Sequence, residues 1–301
     1  MNWSHSIDLL LQNNILRYTI AITVGLCIGS FLNVVIVRLP LILKVKWLLQ
    51  SVDIIQNELR NAHIVEQLLE HVPMLRKLSL AFPASHCPNC FKSLKWWMNL
   101  PVISYILLKA KCYFCKEEIT SVYPIIELLT AVLFCSIAII YQDLWHLLAY
   151  ATFVSIIIVA AVIDYQTLYL PDELTLPFLW LGLLININGF LSGGVVNSIL
   201  GAVTGYLFLG IIYFLFKVLT KKEGMGFGDF KFFAALGAWL GVSYIIPIAL
   251  ISSIAAIIFA VMSFLLKKKK LTEAIPFGPF LGIGAISCVL FSNYIQPNIF
   301  I

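Results

Sequence analysis

Two acidic residues lie at the ends of long apolar runs, where a charged side chain is energetically unfavourable. Asp229 follows three glycines in "KKEGMGFGDFKFF", residues 221–233, and Asp164 ends an earlier apolar run in "IVAAVIDYQTLYLPDELTLP". Ionisable groups at membrane depth are costly and are functional by default. Two neighbouring carboxyl groups can share a proton, so one can take a proton from water while the other donates one to a peptide carbonyl. Together they predict hydrolysis of a peptide bond.

The glycines fit this chemistry. A loop that lacks side chains at Gly226 and Gly228 would let an extended substrate backbone approach Asp229 closely. A phosphate-binding loop is excluded because no Gly-Lys-Ser/Thr sequence follows. Asp172 and Glu173, in "LPDELT", are typical of a turn followed by the first turn of a helix.

Other readings of these acids remain open from the residues alone. A single Asp at a helix end commonly caps the helix in contact with solvent. A proton-coupled transporter would also use acids within the membrane, with its substrate site at the midplane. Glu127 is a third acid at membrane depth.

Four cysteines form two C-x-x-C pairs, Cys87 with Cys90 and Cys112 with Cys115, separated by 21 residues. Each such turn can direct two sulfurs the same way, so the four thiolates predict one structural Zn²⁺ site. One alternative, a thiol–disulfide relay, needs an oxidising compartment or a quinone. The others are plain free cysteines and a site in which His86 replaces one cysteine ligand. No internal repeat is visible in the sequence.

These residues must be positioned by membrane helices. The chain has 301 residues, of which 61% are hydrophobic and 12% are charged, far fewer charged residues than soluble domains carry. We expect an all-α polytopic membrane protein with about eight transmembrane helices. The predicted helices lie at about 18–39, 123–141, 146–163, 174–191, 195–219, 230–242, 244–266 and 280–296.

The orientation follows from the basic residues. With the N-terminus outside, every Lys and Arg except Arg17 falls on the cytoplasmic side. This places Asp164 and Asp229 at the cytoplasmic edge and the cysteines in a reducing compartment, which disfavours the relay. The net charge of +5 thus reflects orientation and not nucleic-acid binding.

Three regions are predicted. Residues 1–39 hold a periplasmic N-terminus and the first transmembrane helix, 40–121 form a small cytoplasmic domain with the zinc-binding cysteines, and 122–301 form a seven-helix membrane core. Within the second region, an amphipathic helix is predicted over 52–72.

Seven motifs, in order along the chain, resemble the type IV prepilin peptidases, which belong to the GxGD class of aspartic proteases. They are "GSFLNVVIVRLP", "CPNC" with "NLPVISY", "KCYFC", "YPIIELLT", "DYQTLYLPDELTLP", "GMGFGDFKFFAALGAWLG" and "IPFGPFLGIG".

The resemblance implies a bifunctional multi-pass enzyme of the bacterial inner membrane. Such enzymes cleave the basic leader from type IV prepilins and type II secretion pseudopilins on the cytoplasmic side, after a glycine. They then methylate the new N-terminal amine with S-adenosylmethionine. The resemblance places the catalytic pair on Asp164 and Asp229 and matches the four cysteines to a zinc-binding box. The alternative is a membrane transporter or a zinc-stabilised assembly scaffold.

One residue departs from the family pattern. Family members commonly have glycine before the Lys-Cys of the second cysteine pair, whereas this chain has Ala110. If that glycine serves the methyl transfer, only the second activity is affected.

Overall fold

The computed structural model describes residues 12–59, 79–222, 224–266 and 275–292. Within these ranges the regular structure is helical, and β pairing is limited to two isolated bridges. The α-helices are α1 Asn14–Leu59, α2 Ile103–Leu107, α3 Val122–Ile140, α4 Leu144–Thr167, α5 Asp172–Ile185, α6 Val195–Thr220, α7 Phe227–Leu240, α8 Ile245–Leu265 and α9 Gly278–Leu290.

In the described part of the chain, five stretches of helix are long and apolar enough to cross a bilayer. They are Asn14–Ile54, Val122–Ile140, Leu144–Thr167, Val195–Thr220 and Val242–Leu265. The prediction of an all-α polytopic membrane protein is therefore confirmed. The other three predicted spans fall on α5, α7 and α9, which have 14, 14 and 13 residues. At about 1.5 Å per residue these helices reach roughly 20 Å, so the count of eight crossings stays a prediction.

The first helix is longer than its predicted span. It continues through Pro40 to Leu59, although a proline inside a helix removes one backbone hydrogen bond. Leu43, Val45 and Val52 are buried beyond that point, and their packing offsets the lost bond. The amphipathic helix predicted over 52–72 begins inside α1. Its remainder lies outside the described residues.

The chain divides into two compact units. One comprises Met1–Tyr18 with Phe134–Ile301, and the other comprises Thr19–Leu133.

In the first unit, α7 is the most enclosed helix. All of its residues from Asp229 to Leu240 are buried except Lys231. It packs against α6 at Gly201 and Gly237, where a Cβ on either residue would overlap the backbone of the other. Small residues allow such close approach between membrane helices, where packing rather than hydrophobicity favours association.

The C-terminal end of α7 is secured by a buried asparagine at the end of α5. The side-chain amide of Asn186 donates to the carbonyls of Ala238 and Trp239 at 3.1 and 3.0 Å, and its oxygen accepts from the N–H groups of Leu191 and Ser192. Terminal carbonyls of a helix need such partners where water is excluded. With its C-terminus anchored, α7 presents its first turn, and Asp229, in a fixed position.

Candidate active site and metal centre

The two predicted acids come from the ends of different helices. Asp164 lies in the last turns of α4, Asp229 lies in the first turn of α7, and both side chains are buried. They lie within electrostatic range of each other, since the charge of Asp164 acts on the Asp229 carboxyl group. These are the two acids that the sequence pairs, and their joint catalytic role stays a prediction.

Asp164 is held by a backbone donor that the sequence analysis did not assign. The N–H of Gly278, the first residue of α9, donates to Asp164 Oδ2 at 2.9 Å. A Cβ at Gly278 would lie 2.7 Å from that oxygen, so only glycine fits there without displacing the carboxyl group. The signal in the sequence was a Gly-Pro pair at the start of an apolar run.

Asp229 is held differently. Its own N–H donates to the carbonyl of Gly226 at 3.2 Å, but within the described residues its buried Oδ1 has no hydrogen-bond partner. Leaving a buried polar atom unsatisfied is costly, and such an atom in a native structure requires an explanation, of which a catalytic role is one. This oxygen therefore keeps an unused acceptor site, although almost none of its surface is exposed to solvent.

The two loop glycines contact different neighbours. A Cβ at Gly226 would lie 3.8 Å from Asp229 Oδ2, which is an ordinary contact distance. A Cβ at Gly228 would lie 2.9 Å from Leu170 Cβ and 3.2 Å from the Leu170 carbonyl oxygen. From the sequence, glycine is expected at both positions to allow close approach of a substrate. In the structure, glycine is needed at Gly228 also because the α4–α5 connection packs against it.

An ion pair joins the same two regions. Lys231 Nζ lies 2.7 Å from both carboxylate oxygens of Asp172, and both side chains are partly exposed. Asp172 is the first residue of α5, and Lys231 lies two residues after Asp229. The pair therefore links the start of α5 to the turn that carries Asp229. Sequence reasoning identified Asp172 as a helix start and missed its partner.

The four predicted cysteines converge in the second unit. Their sulfur atoms all lie within 4.8 Å of one another, and Cys87 Sγ lies 3.8 Å from Cys115 Sγ. A tetrahedral Zn²⁺ with bonds of about 2.3 Å separates its sulfurs by roughly 3.8 Å. The donor set and spacing therefore fit one tetrahedral metal ion.

The two cysteine turns share one construction, with an offset of 25 residues. In each turn, the first cysteine donates its N–H to the carbonyl five residues later, and the residue after the second cysteine donates back to the first. The bonds are Cys87 N to Lys92 O, Phe91 N to Cys87 O, Cys112 N to Glu117 O and Lys116 N to Cys112 O. The sequence shows no internal repeat here, and the similarity of the two turns lies in their backbone hydrogen bonds. "SHCPNCFKSL" and "AKCYFCKEEI" share little besides the cysteines.

The surroundings shift the pKa values of two of these thiols in opposite directions. Hydrogen bonds from the N–H groups of Cys115 and Phe114 contribute to lowering the pKa of Cys112 to about 6. At Cys115, the N–H of Glu117 lowers the pKa, but desolvation and the neighbouring thiols outweigh it and raise the pKa to about 11. Four thiolates without a cation repel one another, and a bound metal would remove that penalty because it binds the thiolate form.

Glu127, the third acid of the sequence analysis, holds a loop. Its side chain is buried on α3, and its Oε2 accepts a hydrogen bond from the N–H of Val102 at 2.7 Å. Val102 precedes α2 and has a φ of 59°, an unfavourable conformation for a β-branched residue. The bond to Glu127 stabilises that conformation.

The fold and site define a multi-pass helical membrane protein with a buried carboxyl pair at two helix ends and a four-cysteine cluster. Residues 23–141 match the bacterial peptidase A24 N-terminal domain, and residues 151–261 match the type IV leader peptidase family. The chain belongs to the type IV leader peptidase family. The cysteine cluster and Glu127 lie in the first match, and Asp164 and Asp229 lie in the second.

Relatives named prepilin leader peptidase/N-methyltransferase match most of the chain. One from Burkholderia pseudomallei (strain 1026b) is 37% identical over 92% of this chain and 86% of its own length. One from Aeromonas salmonicida (strain A449) is 37% identical over 93% and 92%. One from Stutzerimonas stutzeri is 35% identical over 97% and 96%. No solved structure matches the chain significantly.

Proposed function

We propose that this protein is a prepilin leader peptidase and N-methyltransferase of the bacterial inner membrane. It cleaves the basic leader from type IV prepilins and type II secretion pseudopilins after a glycine, and it then methylates the new N-terminal amine. The names of the relatives support this assignment. The single observation that carries the peptidase activity is that two buried carboxyl groups, Asp164 and Asp229, lie within electrostatic range of each other, and one of them has an oxygen without a partner among the described residues.

The proposed cleavage uses the pair as acid and base. The ionised carboxylate takes a proton from water as the water oxygen attacks the scissile carbonyl carbon, and the protonated carboxyl group donates its proton to the carbonyl oxygen. The tetrahedral intermediate then collapses. Its C–N bond breaks as the leaving nitrogen receives the proton that the first carboxylate took from water, and a hydroxyl group of the intermediate returns its proton to the second carboxylate, which restores the pair. The Gly278 N–H orients Asp164, and the free oxygen of Asp229 is available to the reacting groups.

The membrane depth of the pair fits the substrate class. A prepilin has an apolar helix in the bilayer and a basic leader in the cytoplasm, so its scissile bond lies at the membrane boundary. The distribution of Lys and Arg favours the same depth for Asp164 and Asp229. Substrate binding would then rest mainly on helix-to-helix contact, and Gly226 leaves space beside Asp229 for the substrate backbone.

Zinc and S-adenosylmethionine complete the proposal. Cys87, Cys90, Cys112 and Cys115 would hold one Zn²⁺, which contributes folding free energy to the segment that binds it. S-adenosylmethionine would supply the methyl group. The described residues contain no glycine-rich turn between a strand and a helix, so no residue is assigned to it.

The test separates the two activities. Full-length protein in nanodiscs is given a synthetic prepilin, and leader removal and methyl incorporation are measured independently. Asp164→Asn and Asp229→Asn should each abolish cleavage without changing membrane insertion or metal content. Asp172→Asn should retain most of the activity, because its amide oxygen can still accept from Lys231. Substantial cleavage by either of the first two variants would end the two-carboxyl mechanism. No cleavage by the native protein would favour a transporter or an assembly scaffold.

A further inference from the structure

The second unit contains a short helix that exposes its apolar side chains. Helix α2 has the sequence ISYIL, and none of its residues is buried. Ile103 is 53% exposed, and Ile106 and Leu107 are each 67% exposed. Residues at i, i+3 and i+4 lie on one side of a helix, so these three side chains form one apolar face.

This helix begins beside a membrane span. The N–H of Val102, the residue before α2, donates to Glu127 at 2.7 Å. Glu127 lies five residues after the first residue of α3, which is about 7 Å along that helix. Because α3 is among the described helices that are long and apolar enough to cross a bilayer, α2 starts next to the first turns of a helix that can span the membrane.

The flanking residues are those that favour a membrane interface. Trp96, which is 78% exposed, precedes the helix, and the exposed Lys109 and Lys111 follow it. Tryptophan is enriched where one end of a side chain meets lipid and the other meets water, and lysine is attracted by anionic headgroups.

We propose that α2 lies in the lipid interface of the leaflet in which α3 begins, with Ile103, Ile106 and Leu107 inserted between the lipids. Such a contact removes the exposed apolar face from water. It also ties the loop between the two cysteine pairs to the bilayer, so the metal centre stays at the membrane surface. Other occupants of this face, namely another segment of the chain or a second protein, are outcomes of the test.

Photo-crosslinking identifies the occupant directly. A benzophenone amino acid replaces Ile106 in the full-length protein, which is placed in nanodiscs of phosphatidylethanolamine and phosphatidylglycerol, irradiated and analysed by mass spectrometry. The same amino acid at Ile125, an exposed position on α3, is the lipid-facing control, and at Glu118, an exposed position in the second cysteine turn, it is the water-facing control. We expect lipid adducts at position 106 to approach the yield at 125 and to exceed the yield at 118 several-fold. Crosslinks to another peptide, or a lipid yield equal to that at 118, would overturn the proposal.

A second variant tests the proposal without the benzophenone probe, which could itself cause misfolding. Ile106→Glu places a charge on the proposed lipid-facing side, so amide hydrogens of α2 should exchange several-fold faster in nanodiscs while metal content is unchanged. Glu118→Gln should leave that exchange unchanged. Equal exchange in native protein and Ile106→Glu would contradict insertion.

Discussion

The backbone N–H of Gly278 donates to Asp164 Oδ2 at 2.9 Å, so the start of α9 fixes the direction of a carboxyl group at the end of α4. The first N–H groups of a helix have no partner within the helix, and a carboxylate is a favourable acceptor for them. Gly278 thus satisfies a helix end and orients one member of the proposed catalytic pair.

We predict that Gly278→Val loses most prepilin cleavage. The added Cβ would meet Asp164 Oδ2 at 2.7 Å and must push the carboxyl group aside. A displacement of about 1 Å in an active site can cost about a hundredfold in rate. The measurement is kcat/KM for cleavage in nanodiscs.

Gly210→Val is the matched control, because a Cβ at Gly210 meets nothing within 4 Å. It should cleave at the wild-type rate. Wild-type cleavage by Gly278→Val would show that the Gly278 N–H does not position Asp164 for the reaction.

Substitutions of the two loop glycines should affect different properties, stability for Gly228 and cleavage for Gly226. Gly228→Ala overpacks against Leu170 and should lower stability by about 1–3 kcal/mol, visible as a lower thermal midpoint. Gly226→Ala makes only an ordinary contact with Asp229, so its midpoint should match that of the wild type. Its cleavage should nevertheless fall by about tenfold or more, since the new methyl group stands where the substrate backbone approaches.

Each variant is the control for the other, measured by thermal unfolding and by cleavage kinetics in the same nanodiscs. If Gly226→Ala cleaves normally, the loop is only a connection between helices. If Gly228→Ala has an unchanged midpoint, the contact with Leu170 does not constrain the fold.

The apolar helices could be predicted from sequence because hydropathy is a property of each run of residues by itself. The lengths of the helices were harder to predict. The hydropathy pattern predicts that the first helix ends near residue 39, but packing of Leu43, Val45 and Val52 continues α1 past Pro40. Conversely, α5 and α7 are shorter than a full crossing.

The site could be predicted from sequence only where a residue type is conspicuous in its surroundings. Acids at membrane depth and pairs of cysteines are conspicuous in this way. The structure places the two acids near each other and the four cysteines near one another. The residues that orient them do not stand out. Gly278 acts through its backbone on a residue 114 positions away, and Lys231 finds Asp172 across 59 positions. Such partners depend on how the helices pack, which local sequence does not encode.

For the metal centre, we predict about one Zn²⁺ per chain in purified protein, because the four thiols fit a structural site. Cys112→Ser should lower the metal content and destabilise the cysteine segment, since binding free energy is folding free energy there. Metal analysis and protease sensitivity measure the two effects. Cleavage should survive partial metal loss, because Asp164 and Asp229 belong to the other unit.

Cys27→Ser provides the control, as Cys27 is an exposed cysteine of α1 outside the cluster. It should leave the metal content unchanged. A metal-free protein with a disulfide between the pairs in intact cells would restore the relay interpretation.

The last prediction concerns Ala110, where the family commonly has glycine. Ala110 has a φ of 58°, in the left-handed region that costs about 1–2 kcal/mol for a residue with a Cβ. Its N–H donates to the Tyr105 carbonyl and its carbonyl accepts from the Ile119 N–H, so the conformation is built into the second cysteine turn. Ala110→Gly should therefore stabilise this turn by up to about 1 kcal/mol, after the greater chain entropy of glycine is subtracted. Resistance of the bound metal to a chelator measures the gain.

Ala84→Gly, just before the first cysteine turn, is the opposite control. Ala84 does not have a positive φ, so glycine there should only add chain entropy and weaken metal retention slightly. Equal retention in Ala110→Gly and the wild type would mean that the turn bears no strain at this residue. Methyl incorporation should be measured on the same samples. A higher methylation rate in Ala110→Gly with unchanged cleavage would link the shape of this turn to methyl transfer, whereas equal rates would limit the role of residue 110 to folding.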